Sequence, residues 1–210
     1  MPECQSGVAP AKWLSFLRNK WLSLLRNKWL NLLRNEWLSL VRYIQIGLTS
    51  PAYCWYNNSE STYKNVYGAL YNWYAVDPTS NGGKNVCPTN WHVPTHDEWI
   101  TLSNYLGGPS GNGINRYLGG GQLKEIGTQH WSDPNAGATN STGFTALPGG
   151  LRHANDASYL GVNTDGYWWS STSHLMQDFA WGWFILNEDP YFCYFTNYKK
   201  FGFSVRCLRD

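Results

Sequence analysis

Apolar and polar positions follow three different rhythms along the chain. Residues 13–44 repeat an eight-residue unit four times, starting at Trp13, Trp21, Trp29 and Trp37. The unit holds good helix formers and no Pro or Gly, which predicts a helix from about Ala11 to Ile46, stopped by Gly47. Eight residues at about 100° each overshoot two turns by about 80°, so the apolar stripe slips round the helix with every copy. A heptad coiled coil is disfavoured by that period. Three readings stay open for residues 12–46: a dispensable duplicated extension, self-association, or a helix lying at a membrane interface through its Trp and basic side chains.

A second rhythm, with a 3.6-residue period, occurs twice. Leu70, Trp73 and Tyr74 share one face of a helix predicted across Tyr67–Val76 and ended by Asp77-Pro78. Pro94-Thr95-His96-Asp97-Glu98-Trp99 is a clearer start: Thr95 and Glu98 are spaced to form a capping box, and Asp97 places favourable charge in the first turn. Trp99, Leu102, Tyr105 and Leu106 then form one face before Gly107-Gly108.

The third rhythm is alternation. Tyr53–Asn58 reads as a short strand running into a turn. Tyr167–Thr172, Phe179–Leu186, Tyr191–Phe195 and Phe201–Cys207 read as strands of an antiparallel meander, with a turn at Asn187–Pro190. Gly119–Gly150, rich in Gly, Asn, Ser and Thr, is expected to be a long structured loop. Its Asp133, Asn135 and Asn140 could offer oxygens to calcium, although Asx residues in such loops also brace turns.

Composition narrows the class. Charged residues make up 14% of the chain and aromatics 17%, which favours a loop-rich, aromatic-packed α+β domain over a helical bundle. Residues 1–47 carry seven Lys/Arg and two acidic side chains, leaving nine basic against twelve acidic in residues 48–210. A mildly acidic domain is a poor match for a phosphate backbone, so no nucleic acid is expected as its partner. The organisation expected is thus an extension over residues 1–47 and one domain over 48–210.

Cys4, Cys54, Cys87, Cys193 and Cys207 contain no CxxC pair and no Cys/His spacing suited to zinc, so neither a metal nor a cofactor is expected. The opening MPECQSGVAP has no basic stretch leading into an apolar one, and no secretory signal is expected from it. No run of about 18 apolar residues predicts a membrane span. His92 and His96 flank the capping box and are read as surface residues; His130, His153 and His174 have no nucleophile partner that spacing identifies.

Cys54-Trp-Tyr-Asn-Asn58, Tyr67-Gly-Ala-Leu-Tyr-Asn-Trp73, Cys87-Pro88 with Trp91-His-Val-Pro-Thr95, Gly143-Phe-Thr-Ala-Leu-Pro-Gly-Gly150, Tyr167-Trp-Trp-Ser-Ser-Thr172 and Gly202-Phe-Ser-Val-Arg-Cys207 occur in this order. Together, over about residues 52–210, they closely resemble the Fibrobacter succinogenes major paralogous domain. That family looks like a branch of the formylglycine-generating-enzyme type of C-type-lectin fold. The resemblance implies a C-type-lectin-like α+β domain with two main helices, antiparallel strands and long structured loops, displayed outside the cytoplasm or at the cell surface. It also implies that Cys54 and Cys87 pack or pair with Cys207. The oxidase branch uses two cysteines close in sequence before the final strand. Here Cys193 and Cys207 are fourteen positions apart, so the chain is not expected to be an enzyme.

Domains of this branch also serve as variable proteins of diversity-generating retroelements, which rewrite selected codons near the 3′ end. The layout fits, and residues 174–198 depart most from the family pattern. The candidate ligand-binding residues are His174, Met176, Gln177, Asp178, Trp181, Trp183, Asn187, Glu188, Asp189, Tyr191, Phe192, Tyr194 and Asn197. Aromatics with a few carboxylates suit a paratope, because rigid rings give contact area at low entropic cost. Alternate residues of Trp181–Leu186 must nevertheless face the core, and Trp181 and Trp183 share a face and are expected to stand or fall together. The expected ligand is a protein or a carbohydrate. The alternative is a structural or surface-display domain with no single tight ligand.

Overall fold

The computed structural model describes residues 49–111 and 115–210. The repeat of residues 13–44, with the helix and the contacts read from it, lies outside the described residues.

The described chain is a mixed α/β domain with few helices and three antiparallel or mixed sheets. It opens with β1 (Tyr53–Cys54), a 3-10 turn at Tyr56–Asn58, α1 (Glu60–Tyr67), β2 (Leu70–Tyr71) and α2 (Trp73–Val76). The single helix predicted across Tyr67–Val76 is therefore the last residue of α1, then β2, then the four-residue α2. Gly68, at φ 74° and ψ −159°, turns the chain out of α1, and β2 then pairs with β1. Asn72 restarts the helix: its side chain caps the Ala75 N–H at 3.2 Å and also accepts from the Ala52 N–H at 2.9 Å.

After β3 (Trp91–His92) comes α3 (His96–Tyr105), with the capping box complete: Thr95 Oγ1 accepts from the Glu98 N–H, and the Glu98 carboxylate accepts from the Thr95 N–H at 2.8 Å. The Gly119–Gly150 stretch is loop apart from α4 (Gly120–Leu123) and its last two residues, which begin a strand, and β4 (Arg116–Tyr117) precedes it.

The main sheet has six strands. β5 (Gly149–Arg152), β6 (Tyr159–Val162), β7 (Asp165–Ser173), β8 (Phe179–Leu186) and β9 (Phe192–Tyr198) join β4 in the order β4-β9-β8-β7-β5-β6. The β7–β8–β9 meander is antiparallel as predicted, with Trp168 opposite Trp183 and Trp183 opposite Tyr194. Beyond it, β5 meets β7 in parallel through Gly150 and Gly166. Gly150 sits at φ 65°, where a Cβ would lie 2.4 Å from the Leu160 carbonyl oxygen, so a larger residue would break the β5–β6 edge.

The last segment corrects a further expectation. Phe201–Cys207 is not a fourth meander strand: single bridges tie Gly202 to Arg152, Phe203 to Tyr71 and Ser204 to Trp168. The chain then pairs β10 (Leu208–Arg209) with β3, and the Cys87–Cys207 disulfide closes a separation of 120 residues. Cys54 and Cys193 are free.

The alternation of the meander buries both sheet faces. On one side Trp169, Ala180 and Phe203 pack with Trp73, Val93 and Phe201. On the other, Trp168, Trp183, Ile185 and Phe192 pack with Trp99, Leu106, Leu123 and Trp131. Buried indoles need acceptors. Trp73 donates to the Ser170 carbonyl at 3.0 Å, Trp169 to Tyr71 at 2.8 Å and Trp131 to Ala146 at 2.9 Å. Trp99 and Trp183 keep buried indole N–H groups without acceptors.

Candidate binding surface

The residues singled out in 174–198 do not form one surface. β8 is eight residues long, so at about 3.3 Å per residue the two turns that flank it are some 23 Å apart. His174, Met176, Gln177 and Asp178 lie in the β7–β8 turn; Asn187, Glu188, Asp189 and Tyr191 lie in the β8–β9 turn at the far end.

The far turn is framework. Asn187 is buried and its side-chain amide donates to the carbonyls of Ser132 at 3.3 Å and Asp133 at 3.1 Å. Asp189 binds Arg116 at 2.7 Å, accepts from the Tyr191 N–H, and leaves the Arg116 guanidinium 4.2 Å from the Tyr191 ring centroid. Beneath them Lys124, fully buried, donates to the carbonyls of Leu186 and Asp189, each at 3.0 Å. Burial lowers its pKa to about 8. Glu188 alone of this group is exposed.

Phe192 and Trp183 are both fully buried and are core residues, not ligand contacts. Asn197 faces away from Trp181, because it stands opposite Ala180 on the other side of the sheet. Asp178 also turns to that side, lining a cleft of about 270 Å³ with Tyr74, Asn155, Tyr198 and Lys200. In the Gly119–Gly150 loop, Asn135 and Asn140 brace turns: Asn135 donates to Glu125 and Gly127, and Asn140 pairs with Thr145 through both amide atoms. Among the described residues no group of three or more His, Cys, Asp or Glu could hold a metal, and no helix is long and apolar enough to cross a membrane.

What remains together is the end of the sheet next to the β7–β8 turn. Trp181, Tyr194 and His174 are half-buried there, and His96 joins them from α3. The His96 ring stacks on Trp181 with centroids 4.5 Å apart and planes at 18°, and meets Tyr194 edge-on at 4.8 Å. His174 meets Trp181 edge-on at 5.0 Å, while Tyr117 lies 6.0 Å from Tyr194. Two bonds set His96 in place: its N–H donates to Thr172 Oγ1, and the Ser171 N–H donates to the Pro94 carbonyl, both at 2.9 Å. Helix α3 begins at His96, so His96 and Trp99 both cover Trp183, while of the described helix only the His96 ring meets Trp181.

His96 is thus more than the surface residue expected. Its Nδ1 is buried and has no hydrogen-bond partner, and desolvation holds its pKa below the usual histidine range. The turn adds two apolar side chains, Leu175 at 101% exposure and Met176 at 53%. It is nonetheless braced, with the Met176 N–H on His174 Nδ1, the Phe179 N–H on the Met176 carbonyl and the Lys199 N–H on the Asp178 carbonyl. Leu175 and His96 were not among the expected binding residues: an apolar side chain in a short turn shows no period, and His96 reaches the patch from 85 positions upstream of Trp181.

The domain is accordingly a mixed α/β scaffold with a rigid aromatic patch beside an apolar turn. A family model described as the Fibrobacter succinogenes major domain matches residues 33–209, and the chain belongs to that family. No curated protein and no solved structure matched.

Proposed function

We propose that the domain is a non-enzymatic binding module of C-type-lectin-like fold, whose recognition surface is the β7–β8 turn with Trp181, Tyr194 and Thr196, the residue directly opposite Trp181 on β9. The observation that carries the reading is the joining of rigid half-exposed rings to the exposed Leu175 and Met176 on a braced turn. Singly exposed apolar residues are ordinary, whereas a cluster of this kind suits a protein interface core. Adaptable Leu and Met side chains favour a protein ligand over a sugar.

The cysteines support a binder over an oxidase. Cys207 is held by Cys87, and Cys193 is a buried free thiol whose pKa burial pushes up to about 11, the reverse of an activated thiolate. The disulfide fits an extracytoplasmic or cell-surface setting. The scaffold also suits a variable protein of a diversity-generating retroelement, since the exposed Leu175 and Met176 of the turn lie outside both core clusters.

Sequencing the 3′ end of the gene across its source population tests this. Changes should concentrate at codons 174–177, 181, 194 and 196 and spare Trp183, Asn187 and Phe192. Uniform low variation would favour a fixed display domain, and substitutions equally dense at Trp183 and Phe192 would sink the reading.

A further inference from the structure

A cleft of about 400 Å³ lies between α3, the Gly143–Phe144 turn and the C-terminal segment, away from the aromatic patch. Its size falls in the range of small-molecule sites. Trp99, Leu102, Phe144 and Leu208 make most of its wall, and Glu98 and Arg206 bring the charges.

Those two charges are differently served. The Glu98 carboxylate accepts from the Thr95 N–H at 2.8 Å and the Thr95 hydroxyl at 2.9 Å, and His92 Nε2 lies 3.0 Å away. Its needs are met inside the protein. Arg206 sits 4.3 Å over the Phe144 ring centroid, and its Nη2 donates to the Phe144 and Thr145 carbonyls. No acidic side chain among the described residues pairs with it. A guanidinium carries five N–H donors, so one nitrogen on carbonyls leaves most of the fork free. Its partial burial lowers its pKa, and nothing anionic offsets that cost.

We infer that this cleft binds a small amphipathic monocarboxylate, its apolar or aromatic body against Trp99, Leu102 and Phe144 and its carboxylate on Arg206. A carboxylate matches the guanidinium fork in a bidentate pair. A phosphate dianion suits the cleft less well, because one cation would face two negative charges with Glu98 in the same wall.

Isothermal titration of the full chain with 3-phenylpropionate, and with neutral 3-phenylpropanamide as the matched control, tests the inference. The acid should bind saturably and the amide about tenfold or more weakly, the scale of a hydrogen bond to a charged group. Arg206→Gln should remove that discrimination, and Arg206→Lys should restore only part of it. Because Arg206→Gln also frees two carbonyls, Leu102→Trp provides a second variant. It fills the cleft, leaves the guanidinium in place, and should abolish binding of both compounds with Tm near that of the parent. Equal binding of acid and amide, no saturable binding of the acid, or unchanged affinity in a folded Leu102→Trp protein would each overturn it.

Discussion

Trp181 and Trp183 leave the same face of β8 two residues apart, yet Trp183 is fully buried while Trp181 is half-exposed. The difference is made by α3. Trp99 lies 6.2 Å from Trp183 and His96 lies 5.6 Å from it, whereas among the described residues His96 is the one ring of α3 that meets Trp181. The two tryptophans share an orientation and differ in role, contrary to the expectation that they stand or fall together.

Trp183→Ala should therefore cost about 3–5 kcal/mol, the range for emptying a packed aromatic site. Its unpartnered indole N–H places the loss toward the lower end. Trp181→Ala gives up stacking on His96 and contact with Tyr194, and should cost about 1 kcal/mol. Urea midpoints of the two variants check this, and comparable losses would mean that Trp181 is framework.

How far such a distinction was legible follows from how local its causes are. The Thr95–Glu98 capping box lies within four residues and was readable, as was the alternation that makes β7, β8 and β9 pair. The break at Gly68 was hidden because β1 and β2 are two residues each, too short to show a period, and because Leu70, Trp73 and Tyr74 mimic helical spacing. Framework and surface in 187–191 were not separable either. Asn187 is fixed by Ser132 and Asp133, and Asp189 by Arg116 and Lys124, contacts spanning 54 to 73 positions.

His96 gives a pH dependence with a definite sign. Desolvation lowers its folded-state pKa, with the Asp97 charge acting the other way, so folding favours the neutral ring. Stability is complete above the unfolded value of about 6.5 and declines as pH falls below it toward the folded value. His96→Phe keeps a ring against Trp181 and cannot be protonated. Between pH 7.5 and 5 the variant should therefore lose less stability than the parent, read as the difference in urea midpoint. Parallel pH profiles would exclude a buried neutral His96.

His92 has the opposite sign. It lies 2.6 Å from Asp210 through Nδ1 and 3.0 Å from Glu98 through Nε2, and the hydrogen bond its ring donates to the Asp210 carboxylate, followed by that to Glu98, raises its pKa. The contribution is present below pH about 6.5 and is lost as pH rises through the folded value. Since β10 pairs with β3 only through Leu208–His92 and Arg209–Trp91, the Arg209 and Asp210 amides should lose hydrogen-exchange protection at mildly alkaline pH. His92→Gln should lose that pH dependence.

Reduction tests the closure of the chain. The Cys87–Cys207 bond spans 120 residues, for which loop-closure entropy predicts stabilisation of up to about 5 kcal/mol. Cys207→Ser should lower stability by about 2–5 kcal/mol, and dithiothreitol should destabilise the parent but leave the variant unchanged. A parent insensitive to reductant under denaturing titration would show that Cys87 and Cys207 are not joined in solution.

Lys124 is the most demanding residue of the far turn. Lys124→Met removes a desolvated ammonium but leaves the Leu186 and Asp189 carbonyls without their donor, for a net loss of about 1–3 kcal/mol at pH 7. Burial lowers the pKa of Lys124 from 10.5 to about 8, so the parent gains stability as pH rises across that interval, while the uncharged variant cannot. The gap between the two proteins should therefore widen from pH 8 to pH 10, because the neutral amine still donates to the carbonyls without the cost of a buried charge. Denaturant titrations at both pH values measure it. A gap that narrows would mean that the ammonium is stabilised where it lies, with Asp189 outweighing desolvation.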